Sequence, residues 1–177
     1  MIKIAITGPE SSGKTTLAIG LSELFQVSWH PEYARKYLGE KNGEYVESDL
    51  LHIALNQDEI RSNLSSQDQI QIFDTENTVI KVWSSFKYGR ISPEILKLQQ
   101  TQNFDHYFLC SPENIDWEDD PLREHPNKRE ELFSIYNDEL KKLKVPFTIL
   151  KGSADIRSQQ AAEIIEELSM SSGGFCI

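Results

Sequence analysis

The chain has 177 residues and a formal net charge of −10, with 38% hydrophobic and 26% charged residues. This length is typical of one domain, and the acidic balance argues against binding to a nucleic-acid backbone or to anionic lipid, which both require clustered Lys and Arg. No apolar run approaches the roughly 18 residues of a membrane span, no signal leader precedes the first strand, and the two cysteines fit a reducing compartment. We therefore expect a cytoplasmic protein that binds neither nucleic acid nor a membrane.

Apolar and β-branched runs alternate with segments of helical spacing along the whole chain. The runs predict five strands at residues 2–7, 27–29, 70–73, 106–110 and 147–150. The predicted helices begin at Lys14, at Pro31, at Ser48 or Asp49, after Asp74, at Ser92, near Lys128 (ending near Lys144) and at Ser153. Such alternation predicts an α/β fold with a parallel five-stranded sheet covered by helices on both faces. We expect a single domain over residues 1–170 and a frayed tail over residues 171–177.

One long segment interrupts this alternation. SPENIDWEDDPLREHPN, residues 111–127, holds three prolines and six acidic residues and shows little periodicity. Loops of this length without regular structure are often functional lids. The sequence therefore predicts a lid loop at about residues 111–128.

The strongest motif is GPESSGKT, which runs from Gly8 to Thr15 and matches G-x-x-x-x-G-K-[ST] in full. It follows a predicted strand and precedes a predicted helix, so its backbone N–H groups and helix N-terminus can hold a nucleotide phosphate. Lys14 would reach the β- and γ-phosphates, and the Thr15 hydroxyl would ligate Mg²⁺. The predicted phosphate-binding residues are Gly8, Pro9, Glu10, Ser11, Ser12, Gly13, Lys14, Thr15 and Thr16, with Thr16 equally suited to helix capping. The motif predicts ATP and Mg²⁺ as cofactors, and GTP stays open as the donor.

Two carboxylates follow predicted strands, at the edge of the sheet where open α/β folds bind ligands. Asp74 is the candidate for the metal side of the site, or else a helix N-cap. Glu32 would face the γ-phosphate and could take the proton of an attacking hydroxyl, or else complement a helix dipole. The sequence leaves open which of the two is the base, and Glu76 is a weaker candidate for either role.

Two arginines mark the predicted lid. Arg123 lies within it and Arg129 directly after it, and arginines there could stabilise a transferring phosphoryl group. Surface ion pairs with the abundant acidic neighbours are the alternative for both. A water-excluding lid is typical of small kinases, whereas a GTPase or mechanical ATPase has to position water.

Aromatic and acidic side chains are interleaved between these motifs. Aromatic faces beside carboxylates suit a flat cationic ring, and carboxylates suit ribose hydroxyls. The aromatic candidates are Tyr33, Tyr37, Trp83, Tyr88 and Trp117, the last of them beside Asp116, Glu118, Asp119 and Asp120. Trp83 also suits a core position, since it lies on an apolar helix face, whereas Trp117 lies in a polar loop with little core to join.

Five pieces resemble, in order and spacing, the NadR-type nicotinamide riboside kinases: GPESSGKTTL, PEYARKYL, SDLLHIAL, FDTENTVIKVWSSFKYG and IDWEDDPLRE. The resemblance spans residue 1 to about residue 150. It implies a three-layer P-loop kinase fold and transfer of phosphate from ATP to the 5′-hydroxyl of nicotinamide riboside, a step in NAD biosynthesis.

The resemblance also implies where the site residues lie. Nucleoside contacts would come from Glu32, Tyr33 and Arg35, metal and phosphate contacts from Asp74, and lid contacts from Trp117, Asp120 and Arg123. We add Trp83 to the substrate side and expect Lys14, Glu32, Asp74 and Arg123 to be catalytic.

Two departures from the family pattern bear on function. Family members often carry Trp directly before the Glu of E-Y-x-R, where this chain has Pro31, so one possible stacking partner is missing. A kinase for another nucleoside or small metabolite, and a non-kinase nucleotide-binding ATPase or regulatory module, therefore stay as alternatives. Multi-domain members also carry adenylyltransferase and DNA-binding regions upstream, and we expect both activities to be absent from this chain.

Overall fold

A computed structural model describes residues 1–64 and 68–171. Five strands form one sheet in the order β2-β3-β1-β4-β5, and every neighbouring pair is parallel. The strands are β1 (Ile2–Thr7), β2 (Trp29–His30), β3 (Ile70–Asp74), β4 (His106–Cys110) and β5 (Phe147–Leu150). This confirms the predicted α/β fold, because each parallel connection needs a crossover, which is helical here.

Seven helices connect and cover the sheet in the described part of the chain. They are α1 (Lys14–Phe25), α2 (Tyr33–Glu40), α3 (Glu47–Ser62), α4 (Asn77–Tyr88), α5 (Pro93–Thr101), α6 (Arg129–Leu143) and α7 (Ala154–Ser171). None of the described helices is long and apolar enough to cross a membrane.

Alternation along β1 builds a core on each face of the sheet. Ile4 and Ile6 are fully buried in the cluster that includes side chains of α1 and α7. Ala5 belongs to the opposite cluster, which side chains of α4 and α6 complete. Successive side chains of a strand point to opposite faces, so one strand can serve both cores. The result is the helix–sheet–helix layering that the sequence predicted.

Two boundaries differ from prediction near the second strand. β2 begins at Trp29 rather than at residue 27, and α2 begins at Tyr33 rather than at Pro31. Glu32 occupies the N-cap position with φ −58° and ψ 113°, which is not helical geometry. Its backbone therefore turns between strand and helix, and its side chain is free for another role because it makes no capping hydrogen bond.

Helix α3 begins before the predicted start at Ser48 or Asp49. The helix begins at Glu47, and Val46 is its N-cap. Asp49 lies in the first turn, where its carboxylate accepts a hydrogen bond of 2.8 Å from the Val46 N–H. Asp49 supplies the acid of a capping box, whose carboxylate accepts a hydrogen bond from the N-cap N–H. Asp49 therefore does belong to the start of the helix, but it lies in the first turn rather than at the N-cap.

The cap after β3 belongs to a different acid from the one considered. α4 begins at Asn77, and Glu76 is its N-cap, with a carboxylate that accepts a 2.6 Å hydrogen bond from the Thr78 N–H. The capping alternative for Asp74 is therefore wrong. Two further predicted caps are confirmed, since the hydroxyls of Ser92 and Ser153 accept hydrogen bonds from N–H groups three residues ahead at 3.1 and 3.4 Å.

The segment predicted as a lid, residues 111–128, contains no helix or strand and connects β4 to α6. The predicted frayed tail, residues 171–177, lies outside the described residues except for Ser171, which is the last residue of α7.

Candidate active site

The phosphate motif forms a tight loop between β1 and α1. Gly8 has φ +135°, and a Cβ at this position would lie 2.7 Å from the Cys110 carbonyl oxygen. Gly13, at φ +80°, is the N-cap of α1. Ser11 adopts φ +48° without being glycine. The chain can take this path only because Gly8 and Gly13 remove steric barriers that any side chain would raise.

Side chains donate hydrogen bonds to three carbonyl groups of this loop. The Lys14 ammonium donates to the carbonyl oxygens of Gly8 and Pro9 at 3.0 and 2.7 Å, and the Ser12 hydroxyl donates to that of Pro9 at 2.8 Å. Arg129 donates to the Ser11 carbonyl at 3.0 Å. In a trans peptide the C=O and the following N–H point in opposite directions, so the bonds to Pro9 and Ser11 fix the directions of the Glu10 and Ser12 N–H groups, the kind of donor that binds anions in such loops. The Gly8 carbonyl has no such counterpart, because the next residue is proline, which has no N–H.

Thr15 and Asp74 meet at the edge of the sheet, as predicted from the two motifs. The Thr15 hydroxyl donates a 2.6 Å hydrogen bond to Asp74 Oδ2, while the buried Oδ1 has no hydrogen-bond partner. Burial raises the pKa of Asp74, and the nearby charge of Lys14 opposes that rise.

This pair fits Mg²⁺. The ion prefers oxygen ligands, and one or two carboxylates together with substrate phosphates commonly bind it. A hydroxyl beside a carboxylate with an unpartnered oxygen supplies that donor set, and no larger metal cluster is needed. Within residues 1–64 and 68–171 no group of three or more His, Cys, Asp or Glu side chains could hold a metal.

Glu32 follows β2, the strand that pairs with β3, and lies at the N-cap of α2. Its side chain is 17% exposed, and Oε2 lies 3.3 Å from the Arg35 Nε. Burial raises the pKa of Glu32, the positive charge of Lys14 lowers it, and the negative charge of Asp74 raises it again. A carboxylate with a raised pKa is a stronger base than an exposed one, which suits proton abstraction from a hydroxyl.

A cavity of about 240 Å³ joins the phosphate loop to an apolar wall. Residues of α4 form much of that wall, including Val82, Trp83 and Phe86, and Leu38 of α2 and Leu122 of the lid add to it. The charged side chains that line the cavity are Glu10, Lys14, Glu32, Arg35, Asp116, Glu118, Arg123 and Arg157. The cavity therefore combines phosphate-binding groups at one side with an apolar, aromatic surface at the other, as a two-substrate site requires.

The lid is anchored directly to the phosphate loop. Arg123 is 12% exposed and donates to the Ser11 hydroxyl at 2.6 Å and to the Glu118 carbonyl at 2.8 Å. The Glu10 carboxylate accepts hydrogen bonds from the N–H groups of Glu124 and His125 at 3.1 and 3.0 Å. Arg123 also pairs with the Glu118 carboxylate, so the ion-pair alternative holds alongside its position in the site.

A second link joins the lid to α2. Asp120 accepts hydrogen bonds from the Leu122 N–H at 2.9 Å and from Arg35 at 2.8 Å. The Leu122 N–H and the Arg35 guanidinium hold the pKa of Asp120 below its usual range. Asp120 is therefore ionised near pH 7 and bridges the lid to the helix that carries Arg35.

The aromatic candidates divide into two groups. Trp83 lines the cavity, and its indole N–H donates to the Tyr45 hydroxyl at 2.7 Å. Tyr33 and Trp117 are not among the residues that line it. The Tyr33 hydroxyl lies 3.3 Å from His52 Nε2, and the Trp117 ring lies 5.8 Å from the Arg129 guanidinium.

Arg129 does not make the surface ion pair considered for it. Its guanidinium donates to the carbonyl oxygens of Ser11 and Ile115, and no ion pair of Arg129 is found in the described part of the chain. Sequence reasoning missed Arg157, which is buried under the phosphate loop. It also missed Tyr45, which supports Trp83. Neither residue lies in a motif. Each is recognised only from a contact in the folded structure, Arg157 with the phosphate loop and Tyr45 with Trp83.

Comparison with known proteins shows the family to which this chain belongs. A family model described as an AAA domain matches residues 3–157. The chain belongs to this family of AAA domains.

Two solved structures of NadR have the same fold as this chain. NadR in complex with NR is 23% identical with a TM-score of 0.81, and the match covers 94% of this chain and 51% of that one. NadR with NAD and AMP-PNP is 20% identical with a TM-score of 0.77, over 94% and 49% of the two chains. The AAA-domain chain thus spans about half the length of the NadR chains it matches.

Two kinases match over all or nearly all of their length. Thymidylate kinase from Candida albicans is 18% identical with a TM-score of 0.70, over 95% of this chain and 92% of that one. Deoxyadenosine kinase from M. mycoides is 14% identical with a TM-score of 0.66, over 94% and 100%. These likenesses confirm the predicted P-loop kinase fold.

Proposed function

We propose that this chain is an ATP-dependent kinase that transfers the γ-phosphoryl group to the 5′-hydroxyl of nicotinamide riboside, giving nicotinamide mononucleotide. One observation carries the proposal. The phosphate loop, the half-buried Glu32, the aromatic wall at Trp83 and residues of the lid line a single cavity. A nucleotide hydrolase needs a place for water, whereas this cavity offers a second, partly apolar compartment next to the phosphates.

The chain's own residues can divide the chemistry of an in-line transfer between them. Glu32 orients the 5′-hydroxyl and accepts its proton, while Lys14 and Arg123 stabilise the charge that develops on the phosphoryl oxygens. Thr15 and Asp74 would hold Mg²⁺, which when bound neutralises phosphate charge. Lid residues exclude water, so that the acceptor hydroxyl has no competitor.

The composition of the acceptor compartment supports a nucleoside with a cationic ring. Trp83 and Phe86 offer aromatic surface, and four carboxylates line the same cavity: Glu10, Glu32, Asp116 and Glu118. Ring faces and carboxylates both attract a flat cation, and the NadR structure of the same fold holds NR.

Another nucleoside is the second candidate acceptor. Pro31 stands directly before Glu32, where the family that the chain resembles often carries Trp, and the fold is shared with deoxyadenosine and thymidylate kinases. The aromatic wall would also accept an uncharged base, so the two candidates differ in what the carboxylates contribute.

Product analysis tests the proposal directly. Pure protein is incubated with Mg-ATP and nicotinamide riboside, and the mononucleotide is sought by mass spectrometry, with Lys14→Ala as the inactive control. Formation of the mononucleotide above that control supports the proposal. A panel of nucleosides assayed for ADP release separates the second candidate. ADP release that needs no acceptor other than water would instead indicate a nucleotide-hydrolysing or regulatory module.

A further inference from the structure

A buried arginine outside every motif contacts the phosphate loop. Arg157 lies in the first turn of α7 and is 2% exposed. Its Nε donates to the Gly152 carbonyl at 2.8 Å, and its two terminal nitrogens donate to the Ser12 carbonyl at 2.7 Å and the Ser111 carbonyl at 2.8 Å. One guanidinium thus connects the phosphate loop, the end of β4 and the connection from β5 to α7.

The charge of Arg157 has no anionic partner among residues 1–64 and 68–171. All three of its hydrogen bonds go to carbonyl oxygens, and no ion pair of Arg157 exists in the part of the chain that the structure describes. The Cys110 thiol is close enough to be influenced by it, but burial raises the pKa of that thiol to about 11, so the thiol is neutral at pH 7. A buried charge without a counter-ion is costly, and charges that persist in protein interiors are generally paired. The anion that would balance Arg157 is therefore expected from a ligand.

The position of the guanidinium indicates which ligand that is. Arg157 lines the cavity that contains the phosphate loop, and one terminal nitrogen lies 3.7 Å from the point where a Cβ of Gly13 would stand. The described peptide bonds are all trans. Because the Ser12 carbonyl accepts a hydrogen bond from Arg157, the N–H of Gly13 points the opposite way, away from the guanidinium.

We propose that Arg157 is a positioning residue for the donor's phosphates. It fixes the Ser12–Gly13 peptide so that the Gly13 N–H faces the polyphosphate, and its uncompensated charge lies beneath the same anion. Arg129 holds the preceding carbonyl, that of Ser11, in an equivalent way from the lid side. The inference rests on the nucleotide-binding half of the proposed function and is independent of the acceptor.

Ligand binding to two variants tests this role. Arg157→Met removes the charge and the planar guanidinium while keeping a side chain of similar length. Arg157→Lys keeps the charge, but its ammonium cannot reach all three carbonyl groups. The matched control is Lys151→Met, which removes an exposed cation that pairs with Glu113 on the surface. Affinity for MgADP is measured by calorimetry, affinity for adenosine by NMR titration, and folding by circular dichroism.

We expect the Kd for MgADP to rise on the order of 10- to 100-fold in Arg157→Met, the range expected for loss of a hydrogen bond to a charged group. Arg157→Lys should recover part of this loss, Lys151→Met should match the wild type, and the Kd for adenosine should not change. A loss of MgADP affinity without a loss of adenosine affinity is decisive, because a merely structural role of Arg157 would weaken the binding of both ligands.

A Kd for MgADP within twofold of wild type in a folded variant would overturn the proposal, as would an equal loss of adenosine affinity. If Arg157→Met does not fold, the same criteria apply to Arg157→Lys. Wild-type protein that binds MgADP but phosphorylates no nucleoside would refute the proposed function and leave this role intact. Wild-type protein that binds neither MgADP nor MgGDP would refute both.

Discussion

Replacing Glu32 with Gln separates the base from the rest of the site. The amide keeps the size of the side chain but cannot accept the proton of the attacking hydroxyl. General-base catalysis contributes about 10²- to 10⁴-fold in rate, so we expect kcat to fall by about that factor while the KM for ATP stays unchanged.

The folded state should survive this change. The ion pair that is lost, between Glu32 and Arg35 at 3.3 Å, involves an arginine side chain that is 42% exposed, and such pairs contribute about 0–1 kcal/mol. Burial raises the pKa of Glu32, so ionising it costs stability, and removing the charge offsets part of the loss. The change in unfolding free energy is therefore small against a total of about 5–15 kcal/mol.

The pH profile gives an independent readout. Only ionised Glu32 is a base, so kcat/KM is full above its folded-state pKa and falls as pH drops through that value. Since burial raises this pKa, the midpoint should lie above the ordinary value for Glu, and the limb should disappear in Glu32→Gln. The assay is coupled ADP release from pH 4.5 to 9, with product confirmed by mass.

Asp74→Asn is the matched comparison, because Asp74 is also a buried carboxylate with a raised pKa. Its hydrogen bond with Thr15 predicts a higher Mg²⁺ requirement in this variant, whereas Glu32→Gln should leave the Mg²⁺ dependence unchanged. The reasoning fails if Glu32→Gln keeps kcat within threefold of wild type and Asp74→Asn abolishes the acid limb, which would make Asp74 the base.

Three further predictions concern the loop, the lid and the buried acid Asp49 of α3. Gly8→Ala places a Cβ 2.7 Å from the Cys110 carbonyl at φ +135° and should destabilise by more than about 1–3 kcal/mol in urea unfolding, whereas Gly39→Ala, with open space around it, should be neutral or stabilising. Arg123→Met should lower kcat by about 10²- to 10³-fold and make the lid more susceptible to proteolysis; unchanged kcat would contradict its role. The lysine and tyrosine partners of Asp49 lower its pKa to about 2, so its stabilising effect is present above the unfolded pKa and lost as pH falls to about 2. Asp49→Asn should then lower Tm at pH 7 but not at pH 2.

Local chemistry explains what could be predicted. The alternation of strands and helices, the phosphate loop and the placement of Thr15 and Asp74 all follow from short-range patterns, because parallel strands end at a common edge wherever they stand in the order. The predicted starts of α2 at Pro31 and of α3 at Ser48 or Asp49 were wrong, because several residues there suit a helix start and tertiary contacts select among them.

The sequence by itself determined that a phosphate-loop motif stands at a strand-to-helix turn of a parallel sheet, since that motif depends on its own short stretch of backbone. Only the tertiary structure decided what surrounds the phosphate. Trp83 lines the cavity, and Trp117 lies outside it beside the Arg129 guanidinium. Arg157 donates a hydrogen bond to Ser12 of the phosphate loop, 145 positions away in sequence. Contacts between residues so far apart in sequence depend on how the helices pack over the sheet, and no local sequence pattern encodes that packing.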